Sequence, residues 1–470
     1  MSPSEICHLS ARQLSGLVRQ REVSPVEIVK AHLARIDSLE PRLNSFITLL
    51  SEQALAQAQE SEREIGAGRT RGPLHGIPFG LKDLFYVNGV RSTAGTRIFE
   101  NFVPATDSTV ASRLRDAGAI LLGMLNLHPL AYGPTGENRD YGDMHNPWDP
   151  RRITGGSSGG SGSAVASGEC TFALGTDTGG SVRIPGAMCG VVGFKPTYGR
   201  VSRYGIVPLA WSLDHVGPLC RTVEDCALVM NVIAGPDPKD PTTARLPVPD
   251  YRETLNRGLR NLRVGVPKEY FEVPIDPAVK GAVEKAIGKL GELGAVVSEV
   301  SWPLLRYGQA IASTLQMAEA MTYHKKLIQT QGNRLDPVVR VRLEAGLFIS
   351  ATDYIQAQRA RALFYRQGLG LLGEVDLLAG PTVPVTAFEP GQSEIEVEQG
   401  RMKVIPWLMQ YTRPFNLTGF PAITLPCGFS REELPVGLQL AGRPFEEATV
   451  LLAAHAYEQS TEWHQKRPPV

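Results

Sequence analysis

The 470-residue sequence predicts an α/β protein, a sheet layered between helices, with further helices at the N-terminus. Three observations predict it. Short apolar runs recur from Pro73 onward, at Ile77 to Leu81, Ala119 to Leu122 and Phe172 to Leu174. Helical patterns alternate with them, which is the signature of strands covered by helices. Strand-like runs then return after a helical, charged middle, at Val375 to Ala379, Ala422 to Pro426 and Val436 to Leu440. That return makes the middle an excursion from one sheet.

Residues 1–66 read as a helical segment and 67–470 as one large domain, with the excursion at about 236–370. Ser24 before Pro25, with Glu27 three positions on, is a capping-box start with proline in the first turn. Val26, Val29, Leu33 and Ile36 follow at helical spacing, and Pro41 and Asn44 break the pattern. A second helix is expected from about Ser51 to Ile65, stopped by Gly66 and Gly68. Asp107 is placed as the cap of a helix that turns Val110 and Leu114 inward. Pro236, Pro238, Pro241, Pro247 and Pro249 mark the long connection into the excursion, and Glu446 to Gln459 closes the chain as a helix.

Composition removes several function classes. Lys plus Arg equals Asp plus Glu, 48 against 48, so nothing favours nucleic acid or an anionic membrane as partner. No stretch approaches the roughly 18 uncharged apolar residues of a membrane span. The N-terminus shows no apolar signal region. Six scattered cysteines, none in a C-x-x-C pair, read as buried thiols in a reducing compartment. A soluble cytoplasmic protein is expected. No phosphate loop and no H-E-x-x-H zinc motif occurs, so neither a metal nor an organic cofactor is expected.

The chemistry concentrates between residues 155 and 200, where Gly and Ser abound but apolar runs and prolines rule out a flexible linker. Two serines sit on glycine-dense turns: Ser157 in Gly155-Gly156-Ser157-Ser158-Gly159, and Ser181 in Thr178-Gly179-Gly180-Ser181. A serine hydroxyl needs a base to take its proton. No histidine lies in either segment. Lysine can serve when burial lowers its pKa, and Lys82 ends the apolar run Pro78-Phe79-Gly80-Leu81-Lys82.

At these residues the chain resembles the amidase-signature family, over nearly its whole length from about Pro73 to Trp463. The stretch TDTGGSVRIPGAMCGVVGFKPTYGRVSRYGIVP and the LKDLF around the lysine carry the likeness, as does the 24-residue separation of the serines. The resemblance implies a large twisted mixed β-sheet between helices. It also implies catalytic roles: Ser181 as nucleophile, Ser157 as a bridging serine with a cis peptide bond, and Lys82 as base. The backbone N–H groups of Thr178, Gly179, Gly180 and Ser181 would form the oxyanion hole. The expected partner is a small-molecule amide, with no nucleic acid if the enzyme is free-standing, no membrane, and room for a homodimer.

Weaker candidates complete the list. Tyr132 is a candidate pocket wall, Ile184 follows the nucleophile segment, and Arg340 and Arg342 lie where relatives shape the pocket. Asp177 and Arg183 read as a structural ion pair, and Ser158 and Thr176 as supporting hydrogen bonders. Gly155 to Gly159 also fits G-x-S-x-G, the nucleophile elbow of His-dependent esterases, with Ser157 as nucleophile. Within the family the alternative to a free-standing amidase is the glutamine-hydrolysing subunit of a tRNA-dependent amidotransferase. Ile184 stands where that subunit has Gln, and no acidic residue precedes Thr412-Arg413-Pro414-Phe415-Asn416 to receive an ammonium. A free-standing amidase is therefore the favoured expectation.

Overall fold

The computed structural model describes residues 1–397 and 400–470. Within them an eleven-stranded sheet runs through the molecule. Its order begins Phe46–Leu49, Ile120–Leu125, Pro78–Lys82, Phe172–Asp177, His215–Cys220, Val192–Lys195. It continues Ala422–Phe429, Pro435–Gly442, Leu377–Pro381, Arg263–Pro267, Val296–Val300. Parallel pairs lie toward each end and antiparallel pairs in the centre, so the sheet is mixed.

The N-terminal helices follow their local signals. Ser24 caps Pro25–Leu43, and Glu27 returns the bond to the Ser24 N–H at 2.8 Å. Pro41 lies inside this helix rather than ending it; the stop comes at Asn44, which takes the left-handed conformation. Ser51–Gly66 follows as expected. Between the two, Phe46–Leu49 is a strand that pairs antiparallel with Ile120–Leu125, so the first 66 residues also supply an edge of the sheet. The excursion likewise carries two strands, Arg263–Pro267 and Val296–Val300, among the helices Pro277–Glu292, Gly308–Gln331, Pro337–Ala345 and Ala351–Glu374.

One cap differs from expectation. Ser108, not Asp107, caps Thr109–Asp116, while Val110 and Leu114 are buried as the spacing required. Asp107 instead accepts the Asn88 N–H at 2.7 Å and pairs with Arg115. All six cysteines are buried and unbridged.

The Gly/Ser-rich stretch becomes the short helices Gly159–Ser167 and Arg183–Cys189, every residue of which is buried. Small side chains let these helices lie close against strands and each other.

Candidate active site

Lys82 ends a strand whose five residues are all buried. That strand runs parallel to Phe172–Asp177, with Leu81 opposite Leu174, so the lysine reaches the carboxyl ends of both strands. Crevices form there in α/β sheets because the chain turns away from the sheet edge. Lys82 Nζ donates to Ser157 Oγ at 2.7 Å and to Thr176 Oγ1 at 2.9 Å. It does not pair with Asp83, whose carboxylate is taken by the backbone and hydroxyl of Thr93. Burial pushes the Lys82 ammonium down to about 7, against the opposing fields of Asp177 and Asp214.

Ser157 follows a cis peptide bond from Gly156. A Cβ at Gly156 would stand 2.7 Å from Gly136 N and 2.9 Å from Gly133 O, so only glycine admits the backbone passing there. Ser158 N donates to Ser181 O at 3.3 Å, which ties the two serine turns together. Ser158 Oγ donates to Thr176 O at 3.2 Å. Among the described residues no histidine side chain bonds to Ser157, so the elbow reading lacks its base.

Ser181 follows the strand Phe172–Asp177 through Thr178-Gly179-Gly180. It does not cap the next helix, whose N-cap is Val182. Gly180 has φ +126°, and a Cβ there would meet Thr412 Oγ1 at 2.3 Å. Asp177 shapes this turn. Its carboxylate accepts from Gly180 N at 2.8 Å, Val182 N at 3.2 Å, Asn416 Nδ2 at 2.8 Å and the Arg183 guanidinium at 2.9 and 3.0 Å. Arg183 in turn donates to Thr412 O, Gln439 Oε1 and Asn416 Oδ1 at 2.9, 2.8 and 2.7 Å. Both members of the pair are fully buried. Burial alone would raise the Asp177 carboxyl, but Arg183 holds it well below the usual carboxylate range.

The Gly180 amide is thus engaged by Asp177, which corrects its assignment to the oxyanion hole. Among the described residues, the amides of Thr178, Gly179 and Ser181 have no acceptor within the protein. The Thr178 hydroxyl donates to Asp214 at 2.6 Å, which turns that side chain away from the turn.

Ser181 opens onto a cleft of about 330 Å³ shared with Tyr132, Thr178, Gly179, Gln316, Arg342, Met409 and Arg413. The cleft gathers Tyr132 and Arg342, but not the other two candidates. Ile184 is fully buried in an apolar cluster with Met188 and Trp407, beneath Gly155 and Gly180. Arg340 is exposed and pairs with Glu344 at 2.7 Å. Arg413 was missed. Its one sequence signal is an arginine just before Pro414 in an otherwise uncharged run. A second cavity, of about 740 Å³, meets the cleft at Ala131, Thr178 and Leu209 and is lined by Thr176 and Asp214.

The Amidase family model matches residues 27–451. A glutamyl-tRNA(Gln) amidotransferase subunit from Moorella thermoacetica is 43% identical, with 99% of each chain covered. Among solved structures, one from a vestigial complex related to an s-triazine catabolic enzyme superposes with a TM-score of 0.92 at 33% identity. It covers 96% of this chain and 98% of that one. A crystal structure of an amidase gives 0.88 at 36% identity, over 96% of this chain and 100% of the other. With the match running from the N-terminal helices to the last one, the chain belongs to the amidase family and is an enzyme of amide C–N bonds.

Proposed function

We propose that the chain is a serine amidohydrolase in which Ser181 attacks the amide carbonyl while its proton passes through Ser157 to neutral Lys82. The proton then returns to the leaving amine, and water hydrolyses the acyl-enzyme. The observation that carries this reading is the 2.7 Å bond between Ser157 Oγ and a fully buried lysine amine. The amides of Thr178, Gly179 and Ser181, which have no acceptor within the protein among the described residues, would receive the oxyanion, each such donor being worth about 3 kcal/mol. A cytoplasmic setting agrees with six buried, unbridged cysteines. Among the described residues no helix is long and apolar enough to cross a membrane.

A second reading has specific support. The curated relatives are glutamyl-tRNA(Gln) amidotransferase subunits. They weigh toward that activity, and toward work within a complex, more than toward a free-standing amidase. The cleft weighs the other way, because no carboxylate lines it and Met409 stands beside Gly179. The α-ammonium of glutamine would find no counter-charge there.

The test is an amide panel that includes glutamine, scored by ammonia or amine release, combined with fluorophosphonate labelling. Label on Ser181 and turnover of simple amides is the expected result. Label on Ser157 would remove the proposed roles, and glutamine as the best substrate would establish the second reading.

The relay also sets a pH dependence. Lys82 must be neutral to accept the proton, so kcat/KM should rise with pH through about 7 and level off above it. Asp214 is one of two negative fields that hold the Lys82 pKa up. Asp214→Asn should therefore move this acid limb to lower pH, read from pH-rate profiles of both proteins. A limb that stays in place in the variant would detach it from Lys82.

A further inference from the structure

Arg413 opens the helix Arg413–Thr418 and turns into the cleft beside Ser181. Its guanidinium is almost wholly buried, yet every partner it has is neutral. Nη1 donates to Gln309 Oε1 at 2.6 Å and Ser313 Oγ at 2.7 Å, and Nη2 to Gln316 Oε1 at 3.2 Å. Nε is buried and has no partner. That nitrogen lies 3.4 Å from where a Cβ on Gly179 would stand, so it sits against the turn that presents Ser181.

Arg342 lines the same cleft. It donates to Tyr132 O and forms no ion pair among the described residues. Burial pulls the Arg413 pKa down to about 10, with Tyr132 opposing and Arg342 pressing it further down, so this guanidinium stays charged at neutral pH. A buried charge without a counter-charge is costly, and proteins normally pair it. Arg413 is such a charge, and the half-buried Arg342 adds a second positive group to a cleft whose own lining contains no acid, which calls for an anion from outside.

We infer that Arg413, with Arg342, forms an anion subsite, and that the substrate is a primary amide whose acyl part ends in a carboxylate a few carbons from the scissile carbonyl. This rests on the amidohydrolase reading of Ser181 and names its substrate class. The short reach follows from Nε lying against Gly179, two residues from the nucleophile. The absence of an α-ammonium follows from the acid-free lining.

The test compares succinamate with butyramide on the full chain; the two have equal length and differ by a carboxylate against a methyl. Succinamate should have the higher kcat/KM by about tenfold to a hundredfold, the range for a charge-assisted hydrogen bond. Arg413→Gln should lower that ratio at least tenfold, and Arg413→Lys should restore part of it. If Arg413→Gln does not fold, succinate should protect wild-type Ser181 from fluorophosphonate at lower concentration than butyramide does; equal protection would overturn the subsite. Butyramide turned over as well as succinamate, with Ser181 labelled, overturns the subsite and leaves the hydrolase reading standing. Failure of both amides together with absence of label removes the hydrolase reading, and the subsite with it. Glutamine hydrolysed as fast as succinamate would also overturn it, by requiring recognition of an ammonium.

Discussion

Ser181→Ala should abolish fluorophosphonate labelling and lower amide turnover by about 10⁴-fold or more, the loss seen when a nucleophile is removed from a coupled relay. Stability should hardly change. The Ser181 hydroxyl makes no hydrogen bond within the protein among the described residues, so removing it to leave a methyl side chain leaves no buried partner unsatisfied. Ser157→Ala should behave differently. It removes the acceptor of the Lys82 bond at 2.7 Å and leaves a buried amine with Thr176 alone. Activity should fall to a slow residue, because the Ser181 nucleophile and the free amides remain. Ammonia release on both variants, with thermal unfolding as control, separates the two roles. A fully active Ser181→Ala enzyme would end the proposal.

The parts of this site that the sequence made legible are those set by local chain chemistry. Glycines on both sides of Ser157 and before Ser181 announce turns where backbone must pass close to something, and Gly156 and Gly180 do so. Lys82 ends an apolar run, and that is enough to place it inside. The Ser24 capping box is complete within four residues. What stayed hidden depends on partners far away. Asp107 and Ser108 are both good caps, and the contact of Asp107 with Asn88 N leaves the helix to Ser108. Phe46–Leu49 is only four residues long, and it is a strand because Ile120–Leu125 lies beside it. Amide direction at Gly180 cannot be read from Gly-Gly; it is fixed by Asp177. Arg413 is the clearest instance. Gln309, Ser313 and Gln316 form a helical stripe about a hundred residues earlier, and nothing local says that the stripe faces an arginine rather than water.

Asp177→Ala should cost about 3–5 kcal/mol of stability, the usual penalty for leaving one member of a buried ion pair alone. The bonds explain why the loss should be this large. Arg183 would keep three neutral acceptors but lose both carboxylate contacts, and it has no route to solvent. Activity should fall too, since the Gly180 and Val182 amides lose the acceptor that sets the turn of Ser181. Denaturant unfolding and the rate of Ser181 labelling measure the two effects separately. The double variant Asp177→Ala/Arg183→Met should recover part of the stability, because the penalty lies in the unpaired charge rather than in the loss of attraction. It should not recover the labelling rate, because the amides still lack their acceptor. The pair also fixes an acid response. The Asp177 carboxyl is held below its unfolded value, so below about 3.9 the unfolded chain binds more protons than the folded one. Its contribution is therefore complete above that pH and is lost as pH falls toward the folded value. The Asp177→Ala protein should lack this part of the acid destabilisation. A turn that keeps its labelling rate without Asp177 would show that Thr412 and Asn416 hold it, and would move the origin of the Ser181 geometry from the ion pair to the helix Arg413–Thr418.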